Sequence, residues 1–175
     1  MAARIITVEP FDLVVFGGAG DLAFRKLLPA LYHRDRDGQL PKAARIIGVS
    51  RRAMSDDDYR TAARQALAAH ISEDDRDLAT METFLKRLHF LSVDAEKNKG
   101  WNDLVAFLKD AKSRIRAFYL AVAPELFGTI CSKLGEHKLV TPQTRVIIEK
   151  PIGHDLPSAK AVNDVVGAVF EESQI

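Results

Sequence analysis

The chain has 175 residues, with 25 Lys+Arg against 24 Asp+Glu for a formal net charge of +1; 47% of its residues are hydrophobic and 28% charged. These are the proportions of an ordinary soluble globular domain, and a balance so near zero excludes a protein that holds nucleic acid or an anionic membrane mainly through bulk charge. The single cysteine, Cys131, excludes an internal disulfide, and no apolar run approaches the ~20 residues of a membrane span.

No Cys/His spacing marks a structural zinc site. A lone Arg4, followed by Glu9 and Asp12 among the apolar residues, does not make a signal peptide. The expected setting is a reducing, cytoplasmic compartment, and the length suits one domain.

The first apolar run, Phe11–Phe16, reads as a strand and leads directly into Gly17-Gly18-Ala19-Gly20-Asp21-Leu22-Ala23. A strand, a glycine-rich turn and then a helix make a phosphate cradle. Glycine allows positive φ and close approach, while first-turn amides and the helix dipole hold the anion. The spacing is G-x-x-G-x-x-A rather than G-x-G-x-x-G, and a plain tight connection is the competing reading. Asp21 is expected to cap the helix that follows, and Pro29 to end or kink it.

The second strand, Arg45–Val49, ends in Ser50-Arg51-Arg52. An acid at this corner would accept from both ribose hydroxyls and favour NAD, whereas an arginine pairs with a 2′-phosphate and favours NADP. Decoration of a solvated strand end is the alternative. Ser55 followed by three aspartates reads as a capped helix start, continuing through Tyr59, Ala63 and Leu67. The stretch Ile71–Ala79 is acidic and loosely patterned, a connection between two helices.

Leu88–Val93 gives the third strand, and Leu104, Phe107 and Leu108 mark an amphipathic helix. Ile115–Val122 is the fourth strand. It closes in Ala121-Val122-Ala123-Pro124, apolar and short-chained, suited to lie against a flat ring. Leu126, Phe127, Ile130 and Leu134 form the next helical face, with Cys131 as a packed thiol. Val146–Ile148 is the fifth strand, ending in Glu149-Lys150-Pro151. Lys150 is either a point-charge donor to a ligand or one half of a surface ion pair with Glu149 or another acid. Asp155 caps the last helix, which runs through Val162, Val166 and Phe170. The histidines His33, His70, His89, His137 and His154 read as surface or segment-end residues, and Trp101 and Tyr119 as core.

Consecutive apolar positions in the strands fit a sheet covered on both faces, and alternation with helices implies right-handed βαβ units. The expected class is α/β: a Rossmann-like, doubly wound, mostly parallel sheet with helices on both faces.

Together these motifs resemble the glucose-6-phosphate dehydrogenase family. The opening Gly17–Ala23 with Lys26-Leu27-Leu28-Pro29-Ala30-Leu31-Tyr32 is similar to that family's G-x-x-G-D-L-A…K-L-x-P-A-L-Y. Ile47–Arg52, Phe118–Pro124 and Glu149–Leu156 resemble three further motifs in the same order. The resemblance implies NADP as cofactor and glucose 6-phosphate, oxidised at C1 to a lactone, as substrate. It places the pyrophosphate over Gly17, Gly18, Ala19, Gly20, Asp21 and Leu22, the 2′-phosphate on Arg51, and the adenine side near Asp94 and Ala95. Pro124 would then lie near the nicotinamide, and Lys150 near both nicotinamide and sugar. Ala19 stands where members often carry Ser or Thr, and Ala123 replaces the first of two prolines.

The resemblance also implies that residues 1–175 are one NADP-binding domain. The general base, the sugar-phosphate ligands in R-I-D-H-Y-L-G-K-E and the antiparallel-sheet substrate domain are absent from this sequence. The expectation is an enzyme portion inactive alone and a homo-oligomer when full length, with no catalytic residue, metal, nucleic acid or membrane in this chain. Two alternatives stand beside it: another sugar oxidoreductase sharing E-K-P, and a stand-alone NADP-binding module. Gly20–Ala23 and Pro29 favour the first reading.

Overall fold

The computed structural model describes residues 8–109 and 114–175; Arg4 lies outside them. Five strands form one parallel sheet in the order β3-β2-β1-β4-β5: β1 Phe11–Phe16, β2 Arg45–Ser50, β3 Leu88–Ser92, β4 Ile115–Leu120 and β5 Arg145–Ile148. The register sets Val14 beside Ile47 and Phe118. The order reverses between β1 and β4, which opens a crevice at their carboxyl ends where ligands bind in such sheets. The expected α/β doubly wound class is thus realised, with every pairing parallel.

Helices cover both faces. On one, α1 (Leu28–Arg36), α2 (Asp56–His70) and α3 (Leu78–Lys86) bury Tyr32, Tyr59, Leu67 and Phe84 against Ile46 and Leu88. On the other, α4 (Trp101–Lys109), α5 (Phe127–Glu136) and α6 (Leu156–Gly167) bury Trp101, Leu104, Ile130, Cys131 and Val166 against Val14, Ile47 and Phe118. Each such large side chain contributes roughly 1.5–3 kcal/mol relative to exposure. Burial pushes the Cys131 thiol up to about 12, as befits a packed and inert group.

The caps explain the helix starts. Ser55 accepts from the Asp58 amide at 3.1 Å, and Asp58 reaches back to the Ser55 amide at 3.4 Å. Asp155 and Ser158 repeat this box at α6. The weakly patterned Ile71–Ala79 holds a 3-10 turn, Glu73–Asp75, and α3 already begins within it at Leu78, capped by Asp77. The buried Tyr32 hydroxyl pins this connection by accepting from the Asp77 amide at 2.8 Å.

Pro29 does not end the first helix. A π-helical turn, Ala23–Leu27, precedes α1, and the Leu28 amide donates five residues back to the Ala23 carbonyl. Proline has no N–H to give and its ring crowds the carbonyl four residues earlier, so the widened turn takes up the misfit. Among the described residues no helix is long and apolar enough to cross a membrane, and no group of three metal-ligating side chains gathers.

Candidate functional site

The cleft at the carboxyl ends of the strands has a volume of about 300 Å³ and is walled by Gly17, Ser50, Arg51, Asp94, Ala95, Val122 and Ala123. Four strand ends supply these residues, so the fold itself converges them.

The glycine turn follows β1 without a spacer. Gly17 has φ +84°, and a Cβ there would sit 2.1 Å from the Ala121 carbonyl oxygen. A Cβ on Gly18 would lie 2.5 Å from the Gly48 Cα. The turn thus passes between the ends of β2 and β4 at a distance only glycine allows. Its own hydrogen bonds engage three amides: Gly17 to the Val49 carbonyl at 2.9 Å, Gly18 to that of Val15 at 3.0 Å, and Gly20 to that of Gly17 at 2.8 Å. Among the described residues, the amides of Ala19, Asp21 and Leu22 meet no protein acceptor. Donors aimed outward from a first helical turn are what an anion needs.

Two residues that brace this turn were not legible as site residues. Tyr59 crosses from α2 over Gly48, where a Cβ would lie 2.5 Å from its hydroxyl, and donates to the Gly18 carbonyl at 2.9 Å. It is fully buried, and burial raises its phenol well above the ordinary value. Gly48 therefore serves Tyr59 rather than the ligand. A single sequence carries no signal for this pair, since it depends on α2 packing across β2.

Asp21 departs from expectation. It caps nothing: it lies inside the first helical turn and pairs with Arg25 at 3.3 Å on the surface. Ala19 is buried, while Gly20 and Asp21 are exposed and Leu22 half-buried.

Arg51 stands at the β2 corner of the cleft, exposed. Among the described arginines, the guanidinium groups of Arg51 and Arg52 are the two without a hydrogen bond or ion pair to protein. Ser50 Oγ accepts from the Arg52 amide at 3.2 Å and fixes the backbone there. Asp94 lies opposite, but its Oδ1 folds back to accept from the amides of Glu96 at 3.0 Å and Lys97 at 3.3 Å. Trp101 Nε1 donates to the Asp94 carbonyl at 2.9 Å, and Gly100, at φ +82°, passes where a Cβ would meet the Ser92 carbonyl oxygen. The Asp94–Ala95 wall is thereby held from behind, another support the sequence did not disclose.

Pro124 and Lys150 lie outside this cleft. Pro124 opens a 3-10 turn ahead of α5 and lines a separate groove between α5 and α6 with Glu125, Gly128 and Val165. Its neighbours Val122 and Ala123 do wall the cleft. Lys150 is exposed beyond β5, followed by Pro151 across a cis bond. Its ammonium pairs with no acid among the described residues. Glu149 is taken instead by the Tyr119 hydroxyl, and burial together with that carboxylate pushes the Tyr119 phenol up to about 12. Tyr119 is thus only half-buried, whereas Trp101 is wholly core. His154 precedes the α6 cap and pairs through Nε2 with Glu125 at 2.6 Å. That hydrogen bond holds the Glu125 carboxyl below its usual value.

A family model described as "Glucose-6-phosphate dehydrogenase, NAD binding domain" matches residues 14–175. The chain belongs to the glucose-6-phosphate dehydrogenase family. It is 53% identical over 175 residues to glucose-6-phosphate 1-dehydrogenase of Rhizobium meliloti, covering all of this chain and 36% of that protein. It is 51% identical over 172 residues to the Mycolicibacterium smegmatis protein of the same name, covering 96% and 35%. Among solved structures, glucose-6-phosphate 1-dehydrogenase from Mycobacterium avium superposes with a TM-score of 0.86 at 33% identity, over 96% of this chain and 35% of that one. A glucose-6-phosphate dehydrogenase in complex with its substrate glucose-6-phosphate gives 0.83 at 30% identity, over 97% and 37%. The chain spans about a third of the length of the curated relatives it matches. Family membership sets aside an unrelated E-K-P sugar oxidoreductase.

Proposed function

We propose that the chain is the NADP-holding unit, residues 1–175, of a dehydrogenase that oxidises glucose 6-phosphate at C1. The pyrophosphate rests on the turn from Gly17 to Leu22, received by the outward amides of Ala19, Asp21 and Leu22. Arg51 pairs with the 2′-phosphate, Asp94 and Ala95 flank the adenine side, Pro124 closes toward the nicotinamide, and Lys150 reaches nicotinamide and sugar. When bound, NADP supplies the hydride acceptor for conversion of the sugar to its lactone. Fit is favoured by the close passage of Gly17 and Gly18 against β2 and β4, which leaves room for a diphosphate on the backbone.

The observation that carries this reading is Arg51. It is a cation with no protein partner, at the corner where an acid would read an unmodified ribose, beside a turn with unspent amides. No residue of this chain matches the family's general base, and loss of general-base catalysis typically costs 10²–10⁴-fold. The test is a titration of the 175-residue chain with NADPH followed by cofactor fluorescence, beside an assay of NADP reduction with glucose 6-phosphate. Saturable binding without turnover is expected. Absence of binding contradicts the cofactor role, and robust turnover contradicts the missing base.

A further inference from the structure

A second groove, of about 480 Å³, lies at the amino ends of β2 and β3, the opposite end of the sheet from the cofactor cleft and the opposite edge from β5. Lys42, Arg45, Lys86, Arg87 and His89 line it together with three small residues, and the lining holds no acid. Arg87, with 10% of its side chain exposed, fastens this frame. It holds Asp35 through two bonds and sends Nη1 to the carbonyls of Pro41, Lys42 and Ala44 at 2.8, 2.9 and 3.3 Å. The Ala43 carbonyl is taken by Arg114. Each carbonyl from residue 41 to 44 thus faces a guanidinium, which fixes the backbone that carries Lys42. Lys42 and Lys86 are exposed, and among the described residues neither ammonium makes a hydrogen bond or ion pair to protein. The neighbouring acids are spent: Asp12 on Arg45 and Arg114, Asp35 on Arg87, and Asp56 on Arg60 and His89. Glu82, one turn before Lys86, gives both oxygens to Arg64.

We propose that this groove is a second anion site, taking a compound that carries several linked phosphates. Two unpaired ammonium groups on separate segments engage one anion together when its charge is spread over more than one group, as in a phosphate chain. Arg45 and Arg87 already grip carboxylates, so they add positive potential without supplying the contacts. The Thr83 hydroxyl is turned to the Ala79 carbonyl at 3.0 Å, and Ala43 and Ala44 offer no side-chain donor. Recognition therefore rests on the phosphates rather than on a base or sugar. The site is separate from the cofactor cleft and stands or falls independently of NADP binding there.

Titration of the 15N-labelled 175-residue chain with inorganic triphosphate, followed by amide chemical shifts, tests this. Saturable shifts are expected at residues 42–45 and 83–87, and added salt should weaken them. They should persist in Arg51→Ala, which removes the arginine of the cofactor cleft. Inorganic phosphate, too small to engage both lysines, should bind about tenfold more weakly, and ATP should match triphosphate. K42E and K86E should each cost about tenfold or more in affinity, and the double variant should abolish binding. K160E, on α6, should leave it unchanged, and far-UV circular dichroism checks that each variant keeps its fold. The proposal is overturned by a lack of saturation, by shifts confined to residues 17–22, or by lysine variants that bind like the parent. Inorganic phosphate binding as tightly as triphosphate, or ATP binding where triphosphate does not, also overturns it.

Discussion

At the amino ends of the strands, Arg45, Arg87, Arg114 and Arg116 are all committed to the protein. Arg45 grips the fully buried Asp12 through two bonds of 2.7 Å, while Arg114 approaches the same carboxylate at 3.3 Å. Arg87 holds Asp35 at 3.0 and 3.1 Å and adds the carbonyls of Pro41 and Lys42. Arg116, buried, donates to the carbonyls of Leu108 and Leu139. Burial lowers its pKa against the opposing pull of Asp12. At the carboxyl ends, Arg51 and Arg52 face outward with no partner. The same residue type thus joins strands at one end of the sheet and stands ready for an anion at the other. A guanidinium whose donors are spent on carboxylates and carbonyls stabilises; one whose donors are unspent, beside open amides, is free to pair with an anion.

The largest expected effect breaks the first half of that contrast. Asp12→Ala leaves Arg45 and Arg114 without their shared carboxylate and should destabilise the fold by about 3 kcal/mol, read by urea denaturation. The low end of the usual range is appropriate because Arg45 keeps 21% of its side-chain surface exposed. A change below about 1 kcal/mol would show the clamp to be a surface pair in effect.

Tyr59→Phe addresses the glycine turn. It strips the donor from the buried Gly18 carbonyl and should cost about 1–2 kcal/mol of stability. It should also weaken NADP binding several-fold, because the turn loses its brace. Stability loss with unchanged binding would make Tyr59 a core residue only.

The smallest effect concerns the helix caps, away from both sheet ends. Hydrogen bonds from Ser55, Thr80 and Ser158 hold Asp58, Asp77 and Asp155 below the ordinary carboxylate value. A depressed folded pKa adds stability above the unfolded value, near 3.9, and loses it as pH falls through the folded one. Melting temperature should therefore decline below about pH 4. Asp155→Asn, which still caps but does not titrate, should show a shallower decline. Identical slopes would remove Asp155 from the acid response.

Much of the fold was legible because strand and turn signals are local. The strand runs came out within two residues of their observed bounds: β2, β3 and β4 differ at the cleft end, where β4 stops at Leu120 rather than Val122, and β5 begins one residue earlier, at Arg145. The Ser55 and Asp155 caps also followed from adjacent residues. Asp21 did not, because a π-helical turn places it inside the helix rather than before it. In the site, the glycine turn and Arg51 were legible from their place after strands. The braces Tyr59 and Trp101, the turned-back carboxylate of Asp94 and the arginine clamp were not. Tyr59 and the arginine clamp join residues far apart in sequence, and a pattern read along one chain carries no record of such contacts; the Asp94 and Trp101 bonds are local but lie in an irregular connection that no periodicity marks.

Unpaired Arg51 is proposed to read the 2′-phosphate. Isothermal titration of the parent chain and Arg51→Ala with NADP and with NAD tests it most directly. Arg51→Ala should lose about one to two decades of affinity for NADP, the worth of a charge-assisted arginine–phosphate contact, with NAD scarcely changed. Equal losses for both cofactors, or none for NADP, would contradict it.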